Sequence, residues 1–316
     1  MYPFRNILFP TDFSPNAKAA LKYAAAFARN ADGHVVMFNV QGTRVPSDLL
    51  HSNVELGDQS LLQLRADAQA WGSDPLFENI EVEIAFGDGE PAAEITRAAV
   101  EHEIDLMTIV TRGRRGLSRA FAGSIAEEIV ADSPCAVLAI RPPQRDFVDL
   151  HDGKSVLKLK RVLLATNFRP SSVAATSLAT QIANHMGAQL HAVYVIGDYF
   201  DQISAMFPEG GLAALTRLRS YVEERMTHLA RADGSRARTH VAEGRPYEEI
   251  VRLAERSEAD LIVIGTAVHN SLFGGSPVLG SEIERVIRNA SCPVLCVPAA
   301  KVVTPLPAFV AQAVPT

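Results

Sequence analysis

Apolar residues arrive in short runs, and each run is followed by a longer stretch in which they recur every three or four positions. Asn6 to Pro10 is such a run and predicts a first strand. Ser14-Pro15 then reads as a helix N-cap with proline at the first helical position, leading into the alanine-rich pattern of Ala19, Ala20, Leu21, Tyr23 and Ala24. Asp32-Gly33 ends that helix. Further along, His34 to Val40, Ile80 to Phe86, Asp105 to Val110 and Ala136 to Ile140 predict strands, with a helix over Pro91 to Glu101. Strands alternating with helices at this spacing imply parallel pairing and right-handed crossovers, hence a doubly wound α/β sheet. In such a sheet ligands bind at the carboxyl ends of the strands, so the loops after Pro10, Val40 and Val110 come together.

The pattern occurs twice. Ile7-Leu8-Phe9-Pro10-Thr11-Asp12-Phe13-Ser14-Pro15 reappears as Val162-Leu163-Leu164-Ala165-Thr166-Asn167-Phe168-Arg169-Pro170, an offset of 155 residues that also maps Gly89 to Gly244, Asp105 to Asp260 and Thr111 to Thr266. The offset then becomes 157, mapping Gly123-Ser124 to Gly280-Ser281 and Cys135 to Cys292. Two copies of one domain therefore differ by a two-residue insertion between Thr266 and Gly280. A repeat this long is a duplicated domain and not a solenoid. The expected fold is α/β, two tandem doubly wound domains, each a five-stranded parallel sheet with helices on both faces. Residues 1–142 form the first, 143–159 a charged, proline-led linker, 160–300 the second and 301–316 a tail. The long segments Gln41 to Asn79 and Ile196 to Ala237 each hold a helical pattern (Leu61, Leu62, Leu64, Ala68; Leu212, Leu215, Leu218, Tyr221, Val222).

A chain of 316 residues suits two such domains, and 47% hydrophobic with 21% charged residues is ordinary globular composition. The net charge of −6 gives no general drive toward nucleic acid or an acidic membrane, and neither is expected as a partner. No apolar run approaches the ~18 residues of a membrane span, and no signal-like segment precedes the first strand, so a soluble, cytoplasmic protein is expected. Three cysteines fit a reducing compartment and read as small buried hydrophobes. The nine histidines show no metal spacing, and no metal is expected.

The segment Thr111 to Arg119 carries four arginines in nine residues and is followed by Gly123-Ser124. Gly113 and Gly116 let the backbone approach a ligand, and a helix opening at Ser124 directs free N–H groups into the same space, the ingredients of a phosphate cradle. The alternative is local: Ser124-Ile125-Ala126-Glu127 is a capping box, repeated at Ser281 to Glu284, and the arginines are then solvated. Gly87-Asp88-Gly89-Glu90-Pro91-Ala92 fits a dinucleotide fingerprint, but it follows the third strand and Pro91 removes a backbone N–H, so it reads as a turn into a helix.

The three blocks ILFPTDFSPNAKAALKYA, TIVTRGRRGLSRAFAGSIAEEIV and SPCAVLAIR, in that order, resemble the universal stress protein (UspA) family, in tandem form. The resemblance implies a cytoplasmic stress-response protein that binds an adenine nucleotide, ATP, as a regulatory ligand. In the family's nucleotide-binding branch Gly-x-x-Gly, nine residues and Gly-Ser/Thr hold phosphates and ribose, while an aspartate after the first strand contacts adenine. Carried over, Asp12 is the adenine contact beside Pro10 and Thr11, Val40 lines its pocket, and Arg112, Gly113, Gly123, Ser124 and Ile125 serve the phosphates. Val110 stands where the first glycine belongs. The second copy keeps Gly265 there but has Val268 for the second glycine and Asn167 for the aspartate, so it reads as degenerate for ATP. The resemblance further implies an intramolecular pseudo-dimer, or a homodimer, through the fifth strands. No G-x-x-x-x-G-K-[ST] lysine and no base near a γ-phosphate are evident, so the protein is expected not to be an enzyme, with a weak ATPase or a nucleotide-free scaffold as the alternatives.

Overall fold

The computed structural model describes residues 3–41, 58–111, 124–197, 211–231, 237–266 and 279–299. It divides into two compact units, one built on Pro3–Pro142 with Val148–Leu157, the other on Pro143–Phe147 with the chain from Lys158 onward. The expected tail, 301–316, lies outside the described residues.

In the first unit β1 (Asn6–Pro10), α1 (Lys18–Ala31), β2 (His34–Gln41), α2 (Asp58–Gly72), a 3-10 turn at Pro75–Phe77, β3 (Glu81–Asp88), α3 (Pro91–Glu101), β4 (Leu106–Val110), α4 (Ser124–Asp132) and β5 (Ala136–Ile140) follow one another. All strand pairs are parallel, in the order β5-β4-β1-β2-β3. Because the chain winds from β1 one way to β2 and β3 and the other way to β4 and β5, the switch point lies between β1 and β4. The central strand shows why its run lacks polar alternation: Ile7, Leu8 and Phe9 are all fully buried, as a strand covered on both faces requires. Asp105 fixes where β1 begins, its Oδ2 accepting from the N–H groups of Arg5 and Asn6 at 3.0 Å.

The helix after β1 departs from the sequence expectation. Ser14 is not its side-chain cap: regular helix starts at Lys18 after a turn in which the Ala17 N–H donates to the Ser14 carbonyl at 2.9 Å. Its other end is as read, with Asp32 in the left-handed region and the Gly33 N–H donating to the Ala28 carbonyl. The Gly87-to-Ala92 segment is a turn into α3, where the Glu90 side chain accepts from the Ala93 N–H and Pro91 occupies the first turn.

The stretch read as a linker is folded. Val148–His151 (β6) and Lys154–Leu157 (β7) form an antiparallel hairpin whose two-residue turn, Asp152-Gly153, has φ of 49° and 75°, the sign that a type I′ hairpin turn needs at both positions. Arg29 at the end of α1 ties it down: Nη1 donates to the Ser155 carbonyl and hydroxyl at 3.0 Å, and Nη2 to the Leu76 and Glu78 carbonyls at 2.8 and 3.2 Å. Ser155 and Val148 are buried. Charge and proline suggested solvated chain; the Asp-Gly pair between apolar alternations outweighs them.

The second unit repeats the plan with β8 (Arg161–Ala165), α5 (Pro170–Met186), β9 (Gln189–Ile196), α6 (Gly211–Arg231), β10 (Arg238–Glu243), α7 (Pro246–Arg256), β11 (Leu261–Thr266), α8 (Ser281–Asn289) and β12 (Val294–Pro298). Its parallel order is β10-β9-β8-β11-β12. Asp260 repeats the role of Asp105, accepting from the N–H groups of Lys160 and Arg161 at 2.8 Å. The capping box expected at Ser281 does not form, since Gly280 is the N-cap and no side chain caps α8. Glu284 pairs instead with Arg288, and Glu282 accepts from the Tyr247 N–H at 2.9 Å.

Candidate functional site

A cavity of about 330 Å³ opens at the carboxyl ends of β1, β2 and β4 in the first unit. Its wall includes Pro10, Thr11 and Asp12 after β1, Asn39 and Val40 at the end of β2, Ile109 and Val110 at the end of β4, and Ile125, Ala126 and Ile129 on α4. Six of the residues singled out in the sequence thus meet in one space: Pro10, Thr11, Asp12, Val40, Val110 and Ile125. Ser124 opens α4 beside it. Arg112, Gly113 and Gly123 lie outside the described residues, as do Val268 and its neighbours in the second copy. The arginine-bearing segment leaves the chain just after one wall residue, Val110, and rejoins it just before another, Ile125.

The loop after β1 is held by hydrogen bonds to β2 and to the side chain of its own aspartate. The Thr11 N–H donates to the Phe38 carbonyl at 2.9 Å, Asn39 Nδ2 donates to the Thr11 carbonyl at 2.7 Å, and Asp12 Oδ1 accepts from the Ser14 N–H at 2.9 Å. Phe13 takes φ of 55°, and this kink leaves Asp12 exposed. Sequence reasoning missed Asn39, whose signal was a polar residue near the end of an otherwise apolar strand. It also missed Trp71 on α2, which stacks on Phe9 at 6.2 Å, meets Phe13 edge-on at 5.5 Å and has Lys18 Nζ 5.5 Å from its ring centre.

The second copy differs at the same place in three residues. Gly265 stands where Val110 does, and a Cβ on it would lie 2.2 Å from the Ser171 carbonyl oxygen, so the first turn of α5 is packed against β11 in a space only glycine leaves. Here α5 starts at its proline, whereas α1, with Val110 at the equivalent strand position, starts about one turn later by the repeat alignment. Asn167 replaces Asp12, and its Oδ1 accepts from the Ser172 hydroxyl at 2.6 Å and the Arg169 N–H at 3.0 Å. Tyr194 stands in place of Asn39 and stacks on Phe168 at 5.2 Å, with the Arg225 guanidinium 4.7 Å from the Phe168 ring centre.

Cys135, Cys292 and Cys296 are buried and in no disulfide, and burial pushes the thiols of Cys292 and Cys296 up to about 12, where thiolate is negligible at neutral pH. Among the described residues no three His, Cys, Asp or Glu side chains cluster as metal ligands, and no helix is long and apolar enough to cross a membrane.

The model of the universal stress protein family matches residues 3–141 and again residues 158–298. A universal stress protein of Methanocaldococcus jannaschii is 34% identical over 148 residues, which are 44% of this chain and 81% of that protein. One of Thermus aquaticus is 33% identical over 138 residues, 44% of this chain and 98% of its own. Among solved structures, a universal stress protein of Archaeoglobus fulgidus shares the fold, with a TM-score of 0.62 and 24% identity over 93% of this chain and 98% of its own. A functionally unknown protein of Pseudomonas aeruginosa also reaches 0.62, at 18% identity and covering 98% of each chain.

Proposed function

We infer that this chain, which belongs to the universal stress protein family, binds an adenine nucleotide, ATP or a close relative, in its first unit as a regulatory ligand. The observation that carries the reading is the cavity at the switch-point end of the sheet, with Asp12 at its rim and the start of α4 at its other side. A carboxylate accepts from an exocyclic amino group, and apolar Val40, Ile109 and Val110 suit the faces of a base. The amino end of a nine-residue helix directs free N–H groups toward an anion, and Arg112 and Gly113 follow β4 directly. In the second unit Asn167 stands for Asp12, Tyr194 for Asn39, and the first turn of α5 packs against Gly265, differences that favour one nucleotide per chain.

Trp71 is the only tryptophan and packs on Phe13, next to Asp12, so its fluorescence should report occupancy. Titration of the full chain with ATP and with adenosine should give saturable changes, Asp12→Ala weakening both and Gly113→Val or Arg112→Ala weakening ATP more than adenosine. Absence of saturation with either ligand at about 5 mM, the range of affinities worth only ~3 kcal/mol, would overturn the reading.

A further inference from the structure

The second unit has an opening of its own, at the amino end of its sheet. A cavity of about 530 Å³ lies against the amino ends of β8, β9 and β10 beneath the last turns of α7. Strand periodicity places Arg161, Gln189, His191, Arg238 and His240 on one face, because the register pairs Arg161 with Gln189 and His191 with Arg238. From α7 come Glu249, Arg252 and Arg256, and Glu258 follows it. Four arginines face two glutamates, so the lining is cationic in a chain that is acidic overall. Glu258 pairs with Arg161 at 2.7 Å and Glu249 with Arg252, while Arg238 and Arg256 have no carboxylate partner among the described residues.

The two histidines are organised rather than merely present. Their rings are parallel within 4° at 5.3 Å, with His191 Nδ1 3.1 Å from His240 Nε2. Arginine can only donate, so Gln189 offers its amide oxygen to Arg238 Nε and Nη2 at 2.9 and 3.3 Å and its nitrogen to His191 Nε2 at 3.2 Å. That leaves the His191 Nδ1–H to donate to His240, in a directed chain of two neutral imidazoles. Burial, then the neighbouring positive charges, hold both below the ordinary histidine range: His240, Arg238 and Arg161 act on His191, and Arg256 and Arg238 on His240.

The duplication supplies the control. By the repeat alignment the first copy has Val36 for His191, Ala85 for His240, Glu83 for Arg238 and Glu101 for Arg256. Val36 is fully buried, whereas His191 puts a polar ring into the same position at 6% exposure. In the first copy Glu83 faces His102 instead, at 3.4 Å. The second copy has therefore exchanged apolar and acidic residues for a basic cluster at a single place, which neither sheet packing nor net charge requires.

We propose that this cleft is an anion site for a phosphate-class dianion, bound by Arg238 and Arg256, whose arrival draws a proton onto the His191–His240 pair. A bound dianion offsets the arginine charges that keep the imidazoles neutral, so binding and protonation favour each other. Proton NMR of the full chain tests it. Inorganic phosphate should shift the ring resonances of His191 and His240 saturably, acetate at equal ionic strength should not, and Arg238→Gln with Arg256→Gln should abolish the effect. Sulfate stays doubly charged, and by calorimetry it should bind several-fold tighter near pH 5.5 than near pH 8, up to a limit of about tenfold for a one-unit rise in imidazole pKa. His191→Val with His240→Ala, which restores the residues of the first copy, should flatten that pH dependence. Shifts that do not saturate, that survive the double arginine variant, or sulfate affinity independent of pH would each overturn the proposal.

Discussion

Gly265→Ala adds one atom, and the structure fixes the sign of its effect. In a strand with room, alanine in place of glycine stabilises by ~0.5–1 kcal/mol, because the unfolded chain has less freedom to lose. Here the new Cβ would lie 2.2 Å from the Ser171 carbonyl oxygen and 2.9 Å from the Ser172 nitrogen. Both are backbone, so neither can swing aside as a side chain would. Relief requires the first turn of α5 to back away from β11, and that turn carries Ser172, whose hydroxyl donates to Asn167 at 2.6 Å. Overpacking of this kind costs ~1–3 kcal/mol, and loosening the hydrogen bond adds ~1 kcal/mol. A net loss of about 1–3 kcal/mol is expected after the glycine entropy is offset. Native-state hydrogen exchange of the β11 amides, Ile262 to Gly265, measures it, with the β4 amides Met107 to Val110 as the internal reference. A neutral or stabilising effect would refute the claim that glycine is there to admit the helix.

Acid should weaken the second unit through its histidines: their native pKa values lie below the unfolded 6.5, so the stability they contribute is present above that value and lost as the pH falls toward the native ones. His191→Val should reduce the loss seen in β9 and β10 amide protection between about pH 7 and pH 5. Alkali acts oppositely on Cys292 and Cys296, whose stability contribution is full below the unfolded value of 9.0 and lost as the pH rises toward about 12. Both thiols should resist alkylation in the native protein at pH 8 and react once it is unfolded. Arg29→Gln removes donors to four oxygens and should increase proteolysis within Val148–Leu157, a segment that should resist the first cuts in the unaltered chain. Asp105→Ala leaves two strand N–H groups without their acceptor and should cost about 2 kcal/mol, measured by denaturant unfolding followed at Trp71.

The sheets were legible because buried parallel strands are written as local apolar runs, and β1, β4 and β5 start and end within a residue of their readings. Helix starts were less so. Ser14 has the right chemistry for a cap, but regular helix begins only at Lys18, after a turn closed on the Ser14 carbonyl. Gly265 looked like a phosphate-binding glycine and serves helix packing, since one residue type answers both demands. The hairpin was legible and missed: Asp152-Gly153 between Val148, Leu150, Val156 and Leu157 is a hairpin signal that charge and proline obscured. The histidine pair was hidden for a different reason. His191 and His240 lie 49 residues apart and meet only through the pairing of β9 with β10, which spacing along the chain does not reveal.

The assignment of residues 143–157 bears on how the molecule can be taken apart. Pro143–Phe147 belongs with the second unit, where the Arg145 N–H donates to the Ser291 carbonyl at 2.7 Å, yet the next ten residues, Val148–Leu157, belong with the first. The chain crosses from one unit to the other, returns, and crosses again. A truncation after residue 142 strips the first unit of the strands that Arg29 holds, and one after residue 157 removes from the second the peptide bound to Ser291. No single cut yields two intact halves, so genetic dissection of this protein calls for inactivating substitutions in the whole chain, where an effect on one unit is read without amputating the other.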